Sequence, residues 1–366
     1  MHNHFQLSAY DYKLPEENIA QYPAAKRDQS RLLILDCEQD RIIHDQFNNI
    51  TSLLRPGDVL VVNNTKVFPA RLFGQKETGG KVEILLLHYP EILLARKNEN
   101  GWYSVEAMAL LKSSKRPKPG SILSFGKHLQ ASVVELFDNG QVRLELQYDP
   151  PPGKNLDDLF ILYGQVPLPP YIKRPSGTTD EDLQRYQTKY AMQPGSVAAP
   201  TAGLHFSDEL LNEIREKKVE IATVTLHVGY GTFAPVRTED IRGHRIHAEY
   251  IRISQETAQT INEYKKYGSR IWAVGTTTAR TLEFAADEHG AVKPFQGLCD
   301  LYIYPGYRFK IVDNLITNFH LPRSSLLFLV AALAGRERIL NCYNAAVQKG
   351  YRFYSYGDAM AVITRP

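Results

Sequence analysis

Three apolar runs in this 366-residue chain end in residues that can hold an anion or move a proton. The first is IWAVGTTTARTLE, residues 271–283. It reads as a strand, then Gly275, then the hydroxyls of Thr276, Thr277 and Thr278, then a helix with Arg280 in its first turns. Glycine lets the backbone approach a ligand closely, and free N–H groups at a helix start suit a carboxylate or phosphate. A threonine helix cap without a ligand is the plainer alternative. The second run, LHVGYGTFAPV at 226–236, sets His227 in a turn with Gly229 and Gly231. The third, LITNFHLPRSS at 315–325, puts Asn318 and His320 just before a large apolar helix. Each histidine can equally be structural.

A fourth stretch, GSVAAPTAGLHF at 195–206, is too small and kinked for a good helix and too interrupted by Pro200 and Gly203 for a clean strand. It is either filler or a pocket wall made of backbone. HRIHAEY at 244–250 brings His244, His247 and Glu249 together, but HxxHxE is neither HExxH nor a finger spacing. A glutamate-oriented histidine, or a strand beginning at AEYIRI, fits it better, and no metal is expected. The chain has no GxxxxGK, no GxGxxG after a strand, no GxSxG and no reactive-cysteine context. What remains is a site of Thr, Asn, His, Arg and backbone amides. Such a site suits binding a polar small molecule and transferring part of it.

The elements that position these residues fall into two textures. SRLLILD and DVLVVNN read as buried strands joined through the turn LRPGD. YDYKLPEENIAQYP has helix-like spacing after Pro15 and stops at Pro23. Residues 66–150 change pattern: KVEILLL, EILLARK, WYSVEAMAL, SILSFG, LQASVVEL and QVRLELQY are short β-like runs separated by TGG, NENG, KPG and DNG. Regular spacing of this kind predicts an antiparallel barrel or sandwich. After residue 150 helices alternate with apolar strands. DLQRYQTKYAM, SDELLNEIREKKV and SQETAQTINEYKKYG read as helices, EIATVTLHV and RIWAVG as strands. Ser207 is a candidate cap, and Ser324 or Ser325 another for the helix holding LLFLVAALA. The expected fold is a mixed α/β domain formed by both chain ends, residues 1–65 and 151–366, with an inserted antiparallel β-barrel at 66–150.

Composition bounds the function. The chain is 43% hydrophobic with a net charge of +3, which excludes neither an enzyme nor a local nucleic-acid surface. Residues 112–118, KSSKRPK, place Lys112, Lys115, Arg116 and Lys118 in one loop of the insert. That loop is either a solvated turn or a phosphate-contacting edge. Cys37, Cys299 and Cys342 stand far apart, so neither a disulfide framework nor a cysteine-built zinc site is expected. Cytoplasm is the expected compartment, with no membrane span, because the longest apolar run has nine residues.

Beyond these patterns, GSVAAPTAGLHF, LHVGYGTF, AVGTTTARTLE, YIYPGYRFKIVDNLITNFHLPRSSLL and YRFYSYGDAM resemble the bacterial S-adenosylmethionine:tRNA ribosyltransferase-isomerase family of queuosine biosynthesis. So do YDYKLPEENIAQYPAAKRDQSRLL, LLRPGDVLVVNNTKVFPARLFG, TGGKVEILLL and PLPPYIKR, in order, over residues 8–363. The chain departs at Asn64, Lys66, Phe68, Tyr230 and Ala234, where Asp, Arg, Ile, Leu and Arg are expected; only a charge contact at 234 is put in question. The resemblance implies an α/β domain with an inserted barrel. It also implies an enzyme that takes the ribosyl part, not the methyl, of S-adenosylmethionine. The acceptor is 7-aminomethyl-7-deazaguanine at the wobble position of tRNA with a GUN anticodon (Asp, Asn, His and Tyr types). The implied products are epoxyqueuosine-tRNA, adenine and methionine.

The resemblance nominates His205, His227, His320 and Asp358 for proton transfer. Ser196, Ala199, Thr201 and Gly203 become candidates for a pocket wall, with Gly275, Thr276, Thr277, Thr278 and Arg280 beside them. Lys112, Lys115, Arg116 and Lys118 become candidates for tRNA phosphates. The chain is expected to work as a monomer. A methyltransferase and a non-catalytic RNA-binding module are the competing readings.

Overall fold

The computed structural model describes residues 4–91, 94–175, 177–233 and 235–365. The first three strands are β1 (Arg31–Asp36), β2 (Arg41–Gln46) and β3 (Val59–Asn63). All five residues of β3 are buried, as expected of a central strand covered on both faces. A short β4 (Thr65–Val67) leads into the insert. There follow β5 (Arg71–Lys76), β6 (Lys81–Leu86), β7 (Arg96–Lys97), β8 (Tyr103–Ser113), β9 (Ile122–Gly126), β10 (Leu129–Leu136) and β11 (Gln141–Tyr148).

Strands β5, β6, β8, β11, β10 and β9 pair antiparallel in a ring that returns to β5. This closes a six-stranded barrel and leaves no open edge among those six. Along β11 every second residue is buried, the period-2 signature that made these runs legible. Helix α1 (Leu156–Tyr163) adds Leu156, Leu159 and Phe160 to the barrel core, and β12 (Gly164–Gln165) pairs with β5. Barrel packing therefore runs past residue 150.

The chain then returns through α2 (Asp180–Arg185), β13 (Gln193–Ser196) beside β4, α3 (Asp208–Glu216), β14 (Glu220–Leu226), β15 (Glu249–Ile253) and α4 (Gln255–Lys266). It continues with β16 (Ile271–Val274), α5 (Thr276–Ala285), β17 (Phe295–Cys299), β18 (Asn314–Asn318), α6 (Ser325–Ala334), α7 (Arg336–Gln348) and β19 (Ala359–Ile363). The main sheet has nine strands in the order β17-β15-β14-β3-β16-β18-β19-β1-β2. Leu33, Leu35, Val59 and Val61 pack one face against α4 to α7; Leu32, Ile34, Leu60 and Val62 pack the other against Phe47 and α3. The architecture is mixed α/β with an inserted closed barrel.

Local signals held where they were strongest. Ser207, Ser254 and Ser324 accept from the amides of Leu210, Thr257 and Leu327 and start α3, α4 and α6. Residues 15–23 do not form the expected helix. Only a single 3-10 turn, Glu16–Asn18, appears, because two prolines leave too few residues and Asn18 and Ala20 instead exchange backbone bonds with Phe353. DLQRYQTKYAM is helical only to Arg185. Within EILLARK only Arg96–Lys97 is strand among the described residues, and Ile92 and Leu93 lie outside them.

Candidate active site

Strand directions explain why distant motifs meet. β3, β14, β16 and β18 run parallel, so their carboxyl ends share one edge of the sheet. β19 runs antiparallel to β18 and parallel to β1, so those two strands begin at that same edge. The edge therefore gathers His227 after β14, Gly275 after β16, Asn318 to His320 at β18, Ser30 before β1 and Asp358 before β19. Open α/β sheets bind ligands outside the carboxyl ends of their strands.

A cavity of about 330 Å³ opens at this edge. One wall is Ala199, Pro200, Thr201 and Ala202, from the GSVAAPTAGLHF stretch; a second is Gly275, Thr276 and Thr277; a third runs from Thr317 to Ser324; Tyr354 and Ser355 complete it. Its volume and mixed lining suit one nucleoside-sized ligand. Gly275 sits at φ +88°, a conformation that side-chain-bearing residues rarely adopt. No side chain caps α5, so the first-turn amides stand free beside Thr276 and Thr277 as an anion-binding end.

Ala199, Thr201, Gly275, Thr276, Thr277 and His320 line this cavity. Ser196, Gly203, Thr278, Arg280, His205, His227 and Asp358 do not. Ser196 Oγ accepts from Val228 N at 2.8 Å and donates to Ala198 O at 2.7 Å, which folds the stretch rather than facing a ligand. A Cβ on Gly203 would stand 2.1 Å from the Tyr190 hydroxyl, so the glycine makes room for Tyr190. Thr278 Oγ1 donates to Val274 O at 2.6 Å. Arg280 is buried, forms an ion pair with Glu249 and donates to Leu301 O at 3.1 Å. Asp358 is 1% exposed and accepts from Arg31 N, Arg352 N and the Arg352 guanidinium at 2.8–3.1 Å, pinning the start of β19 to β1.

The three histidines differ in setting. His320 lines the cavity with Nε2 2.9 Å from Thr317 Oγ1. His205 lies one layer behind, between Ser30 Oγ at 2.7 Å and Asn318 Nδ2 at 3.1 Å. His227 pairs with Thr65 Oγ1 at 2.8 Å and stacks on Tyr250 at 5.3 Å. Burial lowers all three from 6.5: His205 and His227 to about 4, His320 to about 3. Burial is the first cause in each; the Asp358 carboxylate opposes it at His205. All three rings are neutral at pH 7. The unfolded chain binds protons near 6.5 that the folded rings refuse until about pH 4. Stability is therefore full above pH 6.5 and falls as pH drops toward 4. On unfolding near pH 5 these rings are expected to take up close to three protons from solvent, a slope of about 4 kcal/mol per pH unit, measurable as urea-unfolding free energy from pH 4.5 to 7.

Sequence reasoning named Asn318 at a strand end without giving it a role and left out Tyr171, Tyr354 and Arg323; all four line the cavity. Tyr171 and Tyr354 stack at 4.4 Å. Arg323 and Tyr354 hold φ of +57° and +70°, two of the four described non-glycine residues in that region, and such backbone outliers cluster at ligand sites. The signal available was Asn318 beside His320 at a strand end. The tyrosines carried none, because their approach depends on tertiary packing.

The basic loop stands elsewhere. Lys112, Lys115, Arg116 and Lys118 are exposed. Ser113 pairs with Val82 beside the β5–β6 hairpin, and Lys76 Nζ donates to Lys115 O at 2.7 Å. At the other end of that hairpin Ala70 O accepts from Leu86 N at 3.0 Å, two residues from Phe68, whose amide donates to Ser196 O in β13. The loop is thus at the barrel's far pole. A second cleft, of about 620 Å³, lies at the barrel junction and carries Arg27, Lys66, Arg185 and Lys189. In HRIHAEY, Glu249 is committed to Arg280 and to Gly229 N at 2.9 Å. Among the described residues no group of three His, Cys, Asp or Glu side chains is placed to hold a metal, and no helix is long and apolar enough to cross a membrane.

At the departures from the resembled pattern, Asn64 Oδ1 accepts from Thr225 Oγ1 at 2.7 Å, Phe68 is in the barrel core, and Ala234 lies outside the described residues.

The chain was compared with known proteins. The sequence model of the family described as "Queuosine biosynthesis protein" matches residues 7–362. A Desulfotalea psychrophila protein is 54% identical over all of this chain and 99% of its own length. A Desulforamulus reducens protein is 49% identical over 98% of this chain and 100% of its own. Both are named S-adenosylmethionine:tRNA ribosyltransferase-isomerase. The crystal structure of the S-adenosylmethionine tRNA ribosyltransferase from Thermotoga maritima is 35% identical, with TM-score 0.53, over 97% of this chain and 100% of that one. A barrel inserted into an α/β sheet, a nucleoside-sized cavity at its carboxyl edge and these full-length likenesses place the chain in the queuosine biosynthesis family, the S-adenosylmethionine:tRNA ribosyltransferase-isomerases.

Proposed function

We propose that the cavity at the carboxyl edge binds S-adenosylmethionine and that the enzyme passes its ribosyl part, isomerised, to 7-aminomethyl-7-deazaguanine at the wobble position of tRNA. The products are epoxyqueuosine-tRNA, adenine and methionine, and the acceptors are tRNAs with a GUN anticodon. The observation that carries this reading is the junction in one cavity of a free helix start, Thr276 and Thr277, with a buried neutral histidine, His320. The free amides suit the methionyl carboxylate. His320 accepts the proton that the positive sulfonium makes acidic on the adjacent sugar carbon, and the apolar walls exclude water from the step. His227, at the end of β14 with β3 and β16 between it and β18, is the alternative acceptor.

Product analysis with S-adenosylmethionine and tRNA carrying the aminomethyl base tests the reading. Free adenine, in amounts equal to the modified tRNA, is expected. S-adenosylhomocysteine would mean methyl transfer instead, and neither product would mean a binding module.

The acceptor base lies in a single-stranded loop, whose bases are read by splaying out into a pocket. We place the flipped base at the mouth of the same cavity and the phosphates on basic surface, with residues 66–150 as the RNA-gripping domain of a monomeric, cytoplasmic enzyme. Reversing Lys112 and Lys118 to Glu is expected to raise the KM for tRNA several-fold. It should also reduce the slope of log KM against log salt by about one to two. An unchanged KM would move RNA binding off this loop, toward the junction cleft with Arg27, Lys66, Arg185 and Lys189.

A further inference from the structure

The orientation of the Asn318 amide is fixed by its neighbours. Nδ2 lies 3.1 Å from His205 Nε2 and 3.1 Å from the backbone oxygen of Tyr354. A carbonyl oxygen only accepts, so the group facing Tyr354 O must be the NH₂. Its second hydrogen meets His205 Nε2. That nitrogen is the acceptor of a neutral ring whose Nδ1–H is directed to Ser30 Oγ at 2.7 Å. Both hydrogens of the amide are thereby used. Asn318 Oδ1 is left buried with no partner, on a residue 2% exposed that lines the cavity. A buried acceptor without a donor costs about 1–3 kcal/mol. The Tyr354 hydroxyl, on another lining residue, is likewise buried and unpartnered.

From this we infer that Asn318 Oδ1 is a specificity determinant that accepts a hydrogen bond from the exocyclic amine of the adenine of S-adenosylmethionine. The inference rests on the reading of the cavity given above and deepens it. Three features select the amine over the ligand's other donors. The surroundings are apolar and aromatic, with Phe319, Val228 and the stacked Tyr171–Tyr354 pair, which suits a flat heterocycle. Among the described residues no carboxylate lines the cavity, and a lone amide oxygen does not neutralise an ammonium, so a neutral N–H donor is the better match for Oδ1. The free start of α5, a separate stretch of the lining, supplies N–H donors for the anionic methionyl end, which an acceptor such as Oδ1 would repel. The Tyr354 hydroxyl, which both donates and accepts, can serve a ring nitrogen of the same base. His205 then acts as a positioning residue: by accepting from Nδ2 it leaves Oδ1, rather than the NH₂, as the unpaired end of the amide.

The test compares ligands that differ at one group. Binding of S-adenosylmethionine is measured by calorimetry against its counterparts with hypoxanthine (6-oxo) or unsubstituted purine (6-H) in place of adenine. The tRNA present has a wobble base lacking the aminomethyl group, so no acceptor amine is available. The wild-type protein is expected to bind the adenine compound at least about 10-fold more tightly than either counterpart, because a site built for an N–H donor rejects analogues without one. In Asn318→Ala that preference should fall to near one, through loss of affinity for the adenine compound alone. Equal binding of the adenine and 6-H compounds by the wild type would overturn the assignment, and so would a preference that survives in Asn318→Ala. The wild-type comparison decides the matter even where the variant does not fold. Ala199→Leu separates the two levels. If it leaves binding of S-adenosylmethionine intact, the cavity reading itself fails; if it abolishes binding while the 6-H compound binds as tightly as the adenine one, only the amine assignment fails.

Discussion

Ala199→Leu is expected to lower kcat/KM for S-adenosylmethionine by at least about 100-fold in a protein that still unfolds cooperatively, whereas Gly203→Leu, four residues on, is expected to cost the fold. Both positions belong to the same small-residue stretch and look alike in sequence. Ala199 lines the cavity, so three added carbons occupy ligand space. It also belongs to the buried cluster that holds Val67, Leu204 and Tyr356, so overpacking should lower stability by about 1–3 kcal/mol. At Gly203 even a Cβ would stand 2.1 Å from the Tyr190 hydroxyl and 2.8 Å from a Thr188 methyl, both in the interior. Circular dichroism melts alongside adenine release would separate the two. A Gly203→Leu protein that melts like wild type but is inactive would show that the stretch faces the ligand along its whole length. An active Ala199→Leu enzyme would remove this wall from the site.

The second large effect concerns proton transfer. His320→Ala is expected to reduce kcat about 10²–10⁴-fold, the usual worth of a positioned general base, with only a modest fall in melting temperature. Asp358→Asn is expected to do the reverse. Its carboxylate takes three N–H donors and is not on the cavity. An amide there turns two hydrogens toward those donors, so melting temperature should drop while the folded fraction keeps near-normal turnover. Rates of adenine release, normalised to folded protein, read both variants. Full activity in His320→Ala, with loss in His227→Ala, would transfer the role to the end of β14.

Much of this was legible in the chain, for physical reasons. The barrel showed itself through period-2 burial and turn residues at regular intervals, as in QVRLELQY. The helix starts showed through Ser207 and Ser324, whose hydroxyls accept from the first-turn amides. The strand ends carrying Gly275, His227 and His320 could be named because short apolar runs stop abruptly there. What sequence could not carry was which side of each residue faces the ligand. Thr278 differs from Thr277 by one step of a helix, about 100° of rotation, and spends its hydroxyl on Val274 O. Gly203 differs from Ala199 by a neighbour, Tyr190, that only tertiary packing supplies. Asn318 becomes a directed acceptor through His205, 113 residues away, and through the backbone of Tyr354, 36 residues away. The expected helix after Pro15 failed for a similar reason, since its backbone groups are satisfied across space by residue 353.

In the proposed function the sulfonium nucleoside sits at the carboxyl edge of the four parallel strands. A crystal structure of the protein with S-adenosylmethionine bound measures this directly. Density is expected to fill the cavity between Gly275–Thr277 and Asn318–His320, with the methionyl carboxylate at the start of α5. Density for the ligand on the barrel, or in the junction cleft beside Arg27 and Lys66, with this cavity empty, would contradict it.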